Sequence, residues 1–263
     1  MRSAITSCLA FTLLLLSGTR SAAQSAPNGV VVSFDTRIDV TSGEPIVIQL
    51  AIHNRSMDQI EVDLGHDRKG SVRVVLTRPD GLVIEPPGPV RPAEGGISRT
   101  PRVVIPAGDR YSHQYILDEW VKLERPGTYF AEVSLDSPFR TSDGHVVSSP
   151  TTSRTLVVNV GARDVVRLRQ ACERLAQAAI GSTTAQAQIS AAYALSYFVD
   201  PVAVPCMRTV IRATNRDDAL IAAGLVRIGT EQARSVLEEM AISSDTDRFE
   251  TASGAMRRFQ LRQ

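Results

Sequence analysis

The sequence is short of net charge and of cysteine, and both shortages exclude classes of protein. Its formal net charge is only +1 over 263 residues, whereas a general nucleic-acid binder carries a strong basic excess. The three cysteines are too few for a thiolate-rich structural zinc site once Cys8, in the N-terminal segment, is set aside. The composition therefore predicts neither a nucleic-acid partner nor a cysteine-bound metal ion.

Recognisable catalytic motifs are missing as well. The four histidines do not form an H-E-x-x-H spacing. There is no G-x-S-x-G nucleophile turn, and the pair Gly95-Gly96 does not lead into a phosphate loop with Lys-Ser/Thr. The sequence therefore predicts no catalytic residue, no cofactor and no metal ion, although a Ser-His-Asp triad built from scattered residues stays open.

Two histidines lie in informative surroundings. His66 is flanked by Asp63 and Asp67, a cluster for which a solvated loop is favoured over a weak divalent-metal site. His113 lies between Ser112 and Gln114 in a strand-like segment, so we expect its side chain to face solvent.

Long hydrophobic runs are limited to one near the N-terminus. Arg2 is followed by an apolar run from Leu9 to Leu16 and by small residues up to Ala23. A charged start, a short apolar stretch and a small-residue exit are typical of a secretory signal peptide, which we expect to span residues 1–23. A membrane-spanning helix needs about 20 apolar residues. The sequence therefore predicts an exported protein, periplasmic or secreted, with no transmembrane segment after cleavage.

Two cysteines, Cys172 and Cys206, remain after the expected cleavage. An oxidising compartment permits a disulfide between them. Two buried free thiols are the alternative, because cysteine also packs as a small hydrophobic residue.

The first half of the chain follows the two-residue period of β-strands. Ile46, Ile48, Leu50 and Ile52 alternate along one segment, and the turn residues of 78–81 separate two further strand-like runs. About seven short strands with such turn signals predict a β-sandwich over residues 24–160.

The segment RPGTYFAEV (residues 125–133) resembles the late-strand corner of immunoglobulin-like domains. The resemblance implies that the Tyr129 hydroxyl donates a hydrogen bond back to the preceding backbone. A similar strand pattern occurs in small bacterial proteinase inhibitors of sandwich fold.

Residues 85–101 depart from the strand pattern, since five prolines and three glycines exclude a central strand. A disordered loop and a binding loop are the two alternatives for this segment.

The second half changes to a helical period, and it repeats. Residues 194–210 match residues 224–240 at an offset of thirty, and a third partial copy follows at thirty-one. A repeat of this length indicates stacked helices. The pattern ALSYFVDPVAVPCM (residues 194–207) resembles the short HEAT-like repeats of bacterial proteins that also occur in phycobilin lyases. The resemblance implies paired antiparallel helices over residues 161–263 and a protein-binding surface.

The repeat frame also makes local predictions. It aligns Arg208 with Glu238 on adjacent helices, so we expect a lateral ion pair between them. We further expect Arg208, Arg212, Glu238 and Glu239 to face a partner. The C-terminal helix has no evident partner in the sequence, which predicts that a partner chain covers it or that a second copy of this chain does so in a homo-oligomer.

The predicted fold class is thus an all-β immunoglobulin-like sandwich followed by an all-α HEAT-like solenoid. The predicted function is that of an exported, non-enzymatic protein-binding or scaffold protein whose partner is a protein. The alternative is a protease inhibitor, or an enzyme whose site is assembled from scattered residues near the loop 85–101 or the domain junction.

Overall fold

The computed structural model describes residues 29–35, 37–65, 69–86, 102–123, 125–148, 152–243 and 245–261. The expected signal peptide (residues 1–23) and most of the loop 85–101 lie outside these ranges. The described chain begins with β-strands and continues with six α-helices. The predicted order, a β region followed by an α region, is confirmed.

The β region contains twelve strands within the described residues. They are β1 (Val30–Phe34), β2 (Arg37–Thr41), β3 (Val47–Asn54), β4 (Ile60–Asp63), β5 (Val72–Thr77), β6 (Val83–Ile84), β7 (Arg102–Ile105), β8 (Arg110–Ile116), β9 (Gly127–Leu135), β10 (Phe139–Thr141), β11 (Val146–Ser148) and β12 (Thr152–Gly161). A 3₁₀ turn (Leu117–Glu119) follows β8.

The strands form three sheets around one hydrophobic core. Their orders are β1-β3-β8, β11-β10-β4-β7 and β2-β12-β9-β5-β6, and side chains of all three sheets enter the same core. The strand β2 pairs in parallel with β12, whereas the other pairs are antiparallel. The orders β1-β3-β8 and β2-β12-β9-β5-β6 correspond to the two sheets of an immunoglobulin-like sandwich, and β11-β10-β4-β7 is a third sheet on the same core.

The alternating residues of β3 show why the sequence folds this way. Ile48, Leu50 and Ile52 are all buried in the core, because successive strand side chains point to opposite faces of the sheet. The Tyr129 hydroxyl donates a 2.7 Å hydrogen bond to the Arg125 carbonyl, as the resemblance to the immunoglobulin-like corner implied.

The expectation that His113 faces solvent is wrong. Its side chain is buried on the same face of β8 as Tyr111 and Tyr115, whose rings both lie against it. The two-residue period assigns His113 to that face, and its polar neighbours Ser112 and Gln114 belong to the opposite one.

The α region contains α1 (Val165–Gly181), α2 (Ala185–Ser196), α3 (Val204–Ala213), α4 (Asp218–Ile228), α5 (Glu231–Ala241) and α6 (Thr246–Gln260), with a 3₁₀ turn (Pro201–Ala203) before α3. The helices α1, α3 and α5 contact one another in succession, and α2, α4 and α6 do the same. The two layers enclose a second hydrophobic core.

The C-terminal helix α6 has partners within the chain. It packs against α4 and α5 and buries Ala252, Ala255 and Phe259. This corrects the expectation that it lacks one, and with it the reason for expecting a homo-oligomer; the oligomer itself stays a prediction. In the described part of the chain, none of the helices has both the length and the apolar character to cross a membrane.

Candidate protein-binding surface

The exposed side of the layer α1, α3 and α5, which we call the odd-helix face, contains an open groove. Its volume is about 360 Å³. The groove is lined by Arg163, Arg169, Glu173, Pro201, Val202, Pro205, Cys206 and Gln232. It therefore combines an apolar strip from the start of α3 with charged side chains from α1 and its N-terminal flank.

Three helix caps fix the backbone around the groove. The Asp164 carboxylate accepts hydrogen bonds from the first backbone N–H groups of α1. Asp200 accepts from Val202 N at 3.0 Å, and Thr230 accepts from Ala233 N at 3.3 Å. Such caps satisfy donors that have no partner inside a helix, so each helix begins at a defined residue.

A disulfide joins α1 to α3 in the wall of the groove. Cys172 and Cys206 are paired in the structure, with their Cα atoms 6.1 Å apart and 34 residues between them in sequence. Cys172 is fully buried, whereas Cys206 is 7% exposed and contributes to the groove lining. The cross-link fixes the spacing of the two helices that form the groove.

The cations of the groove differ in their partners. Arg163 donates from Nη2 to Asp200 Oδ1 at 3.1 Å, and this hydrogen bond is the main reason why the pKa of Asp200 lies below its usual value. Arg169 makes no ion pair with any described residue. Its guanidinium is exposed beside the apolar strip and is available to an anionic group.

The predicted partner-facing residues are largely occupied by one another. Arg212 pairs with Glu239 at 2.7 Å, and Arg208 pairs with the same carboxylate at 3.2 Å. Glu238 instead pairs with Arg234 of its own helix at 3.0 Å. The expected Arg208–Glu238 pair is therefore wrong by one residue, and Glu239 carries the contact between α3 and α5.

The N-terminal flank of α1 is attached to the sandwich through the end of β2. Thr41 Oγ1 donates to the Ala162 carbonyl and accepts from Asp164 N at 2.8 Å. Arg167 donates to Glu44 Oε2 at 3.1 Å. These contacts lie on both sides of the link between β12 and α1, and they fix the direction in which α1 leaves the sandwich.

A second attachment joins α2 to the sandwich through a chain of polar side chains. Lys69 Nζ donates to Glu119 and, at 2.7 Å, to the Tyr193 hydroxyl. The Tyr193 hydroxyl itself donates to Glu119 and lies 3.3 Å from that of Tyr197. Arg227 of α4 stacks on the Tyr197 ring, 4.1 Å from its centroid.

Burial keeps Tyr193 and Tyr197, the two tyrosines of this cluster, protonated. The pKa of Tyr193 is raised, first by burial and then by the nearby Glu119 carboxylate. A phenol in this state donates a hydrogen bond and does not act as a base at neutral pH. The cluster therefore joins the two halves of the chain through hydrogen bonds between protonated phenols, Lys69 and Glu119.

Asp118 lies beneath the same attachment. The residue is half-buried, and desolvation of its carboxyl group raises its pKa from 3.8 to about 6. Its Oδ2 accepts the Ile46 backbone N–H at 2.9 Å. Arg227 opposes the shift and Glu119 adds to it.

The sequence does not predict this junction. Its members come from separate segments; Lys69 and Tyr193, for example, are 124 residues apart. One signal was present, because Tyr193 and Tyr197, the residue that caps the C-terminus of α2, are four residues apart, a spacing that places two side chains on one face of a helix. That spacing indicates a packing face but not what it packs against.

The remaining predicted sites are only partly described. Residues 87–101 of the expected loop lie outside the described ranges, as do His66 and Asp67. Among the residues that the structure does describe, no three His, Cys, Asp or Glu side chains are grouped to hold a metal ion. The inhibitor and enzyme alternatives therefore stay predictions.

No protein-family model matches the chain, and no curated protein is similar to it. Among solved structures, the chain is similar to the CARDB domain of a Pyrococcus furiosus protein, at 9% identity and a TM-score of 0.29, over 51% of this chain and 94% of that one. A PapD-like domain of human CEP192 matches at 12% identity and a TM-score of 0.30, over 62% and 100% of the two chains. The periplasmic chaperone SfaE matches at 12% identity and a TM-score of 0.26, over 54% of this chain and 64% of that one. With TM-scores this low, the fold assignment rests on the strand order and the core.

Proposed function

We propose that this chain is an exported, non-enzymatic protein-binding protein whose helical half is a short HEAT-like array. In this proposal the odd-helix face is the docking surface, and the sandwich is the support on which it is held. The observation that carries the proposal is the groove between α1, α3 and α5, where apolar side chains lie beside Arg169, a cation that has no ion pair with a described residue.

The apolar strip supports a binding role because its side chains stay exposed to solvent in the folded chain. Pro201 and Pro205 are exposed at the start of α3, and Val199, just before this strip in sequence, is 51% exposed. Exposed apolar surface with a polar rim is typical of interaction sites. Prolines lose little conformational entropy when a partner covers them.

The charges define the chemistry of the occupant. Arg169 has no internal partner among the described residues, and the guanidinium of Arg163 is only half covered, with its side chain 55% exposed. Glu173 is the one carboxylate among the lining residues. We therefore expect a partner segment that places an acidic side chain next to apolar ones.

The size of the groove limits how much of the partner it holds. A volume of about 360 Å³ lies at the lower end of ligand-sized sites. It accommodates a few side chains of an extended segment rather than a whole domain. Such a segment binds through a small anchor, with the surrounding surface contributing mainly by excluding water.

Selection from a library of displayed peptides tests the proposal. Peptides are selected on the folded wild-type protein and then measured against Arg169→Glu and Arg174→Glu. Both arginines are exposed on α1, so the two variants change the net charge equally, but only Arg169 lines the groove. We expect enrichment of acidic-apolar peptides whose affinity falls about tenfold in Arg169→Glu.

Arg174→Glu is the matched control and is expected to keep the wild-type affinity. Equal loss in both variants would mean that only the overall charge of α1 attracts the peptides. Enrichment of peptides without acidic residues would overturn the proposed chemistry of the occupant.

A further inference from the structure

A second cavity, in the sandwich and far in sequence from the odd-helix face, is lined by three cations. Its volume is about 190 Å³. It is lined by Leu76, Arg78, Ile84, Lys122, Leu123, Arg125 and Tyr129. Arg78 and Arg125 come from two different turns of the sandwich.

The two turns that carry the arginines are fixed against each other. Gly127 has a φ of 151°, and a Cβ built on it would lie 2.6 Å from Pro79 Cγ. The turn after β5 is closed by a 2.9 Å hydrogen bond from Gly81 N to the Arg78 carbonyl. The Tyr129 hydroxyl holds the Arg125 carbonyl at 2.7 Å. The backbone positions of both arginines are therefore set before any ligand arrives.

The charge of the cavity is not balanced by its lining. Arg78 has one partner, Asp80, at 3.3 Å. No carboxylate of a described residue lines the cavity, and neither Lys122 nor Arg125 makes an ion pair with any described residue. Lys122 and Arg125 therefore bring two positive charges to one cavity, and neither is neutralised by an ion pair with a described residue.

We propose that this cavity binds a phosphate monoester that carries an apolar group. A phosphate monoester has a charge of about −1.5 to −2 at neutral pH, which matches the two cations that have no ion pair with a described residue better than the single charge of a carboxylate does. Arginine and lysine both donate to phosphate oxygens. Ile84 and Leu123, which are both partly exposed, supply the apolar surface for the group attached to the phosphate.

Titration of the full chain with phenyl phosphate, followed by NMR of the backbone amides, tests the proposal. We expect saturable shifts at the amides of Leu123, Arg125 and Tyr129. Replacement of Lys122 or Arg125 by Gln is expected to weaken binding about tenfold. Both side chains are exposed, so neither replacement removes core packing. Arg110→Gln, an exposed cation of the same sandwich outside the cavity, is expected to bind as the wild type does.

Two further probes separate the contributions. Benzoate has the same ring with one charge, and inorganic phosphate has the charge without the ring; each is expected to bind at least about fivefold more weakly than phenyl phosphate. Benzoate binding as tightly as phenyl phosphate would overturn the assignment to a phosphate. The cavity would not be an anion site at all if no saturable shift occurs, or if Arg110→Gln weakens binding as much as Lys122→Gln.

Discussion

Asp200 holds two parts of the molecule at once. Its carboxylate accepts the Val202 N–H at the start of the turn before α3 and receives two donors of Arg163, which precedes α1. Gly43 of the sandwich lies against the same side chain, because a Cβ at that position would be 3.1 Å from the Asp200 Cβ. One buried carboxylate therefore links the sandwich, the segment that leads into α1 and the turn before α3.

Replacement of Asp200 tests this link. Asp200→Ala removes a helix-start cap and the ion pair and is expected to lower the free energy of unfolding by about 1–2 kcal/mol. Asp200→Asn keeps a capping oxygen and is expected to cost less than half as much. Arg163→Ala is the control for the ion pair alone and should cost at most about 1 kcal/mol, because the arginine is largely exposed. Urea unfolding measures all three, and an Asn variant as unstable as the Ala variant would contradict the cap.

The pH dependence of this contribution has a definite sign. Arg163 lowers the pKa of Asp200 in the folded state. The stabilisation is therefore fully present above the unfolded-state pKa of about 3.9 and is lost as the pH falls through the lower folded-state value. Wild type and Asp200→Asn should converge in stability as the pH is lowered below about 4; a constant difference down to acid denaturation would contradict the shift.

Asp118 is expected to act in the opposite direction. Because burial raises its pKa to about 6, it destabilises the folded state as the pH rises from its unfolded value through that pKa. Asp118→Asn removes the charge but keeps an acceptor for Ile46 N. Between about pH 4 and about pH 8, the stability of this variant relative to wild type should rise by about 2 kcal/mol. Denaturant unfolding at the two pH values measures it, and a pH-independent difference would contradict the prediction.

Removal of the disulfide is expected to lower the free energy of unfolding by a large amount. Closing a loop of this length is worth about 3–4 kcal/mol in the chain-entropy account. The double variant Cys172→Ala with Cys206→Ala should lose about that much, and reduced wild-type protein should resemble it. Intact-mass measurement of unreduced protein in denaturant, after reaction with a maleimide, decides whether the bond forms, since labelling of both thiols would contradict it.

Two glycines in neighbouring helices should respond oppositely to alanine. A Cβ on Gly224 would lie 2.8 Å from the Ser196 carbonyl oxygen, whereas a Cβ on Gly254 meets nothing within 4 Å. Gly224→Ala is therefore expected to destabilise by about 2 kcal/mol, because α4 and α2 pack too closely there for a side chain. Gly254→Ala should stabilise by up to about 1 kcal/mol through helix propensity. Thermal unfolding of both variants measures the difference, and equal effects would contradict the close approach.

Double-mutant cycles test which glutamate joins α3 to α5. The cycle of Arg212 with Glu239 should give a coupling of about 0.5 kcal/mol, as exposed pairs do, whereas that of Arg208 with Glu238 should give none. A coupling confined to Arg208 and Glu238 would restore the pairing expected from the repeat frame.

Sequence patterns predicted the features that depend on local chemistry. The period of two along β3 and the tyrosine corner at Tyr129 both follow from residues close together in the chain. Each has one strongly favoured geometry. Such features can be predicted without knowing what lies opposite them.

Features that depend on the exact position of a neighbouring element were missed. The repeat offset aligned Arg208 with Glu238, but the side chains of two helices interlock with a shift that the offset does not contain, and Glu239 makes the contact. The link from Lys69 to Tyr193 depends on how α2 lies against the sandwich. The cavity cations Lys122 and Arg125 look like ordinary surface residues in the sequence.

Site-specific photo-cross-linking in the native host tests the docking surface most directly. A photoreactive residue at Gln232, in the groove lining, is compared with one at Gln260, which is exposed on α6 in the other helix layer. The account predicts a discrete adduct at position 232 that maps to an acidic-apolar segment of the partner, is absent at position 260, and is lost with Arg169→Glu but kept with Arg174→Glu. The same adducts at both positions, or an adduct at 232 that is indifferent to Arg169→Glu, would contradict a docking role for the groove.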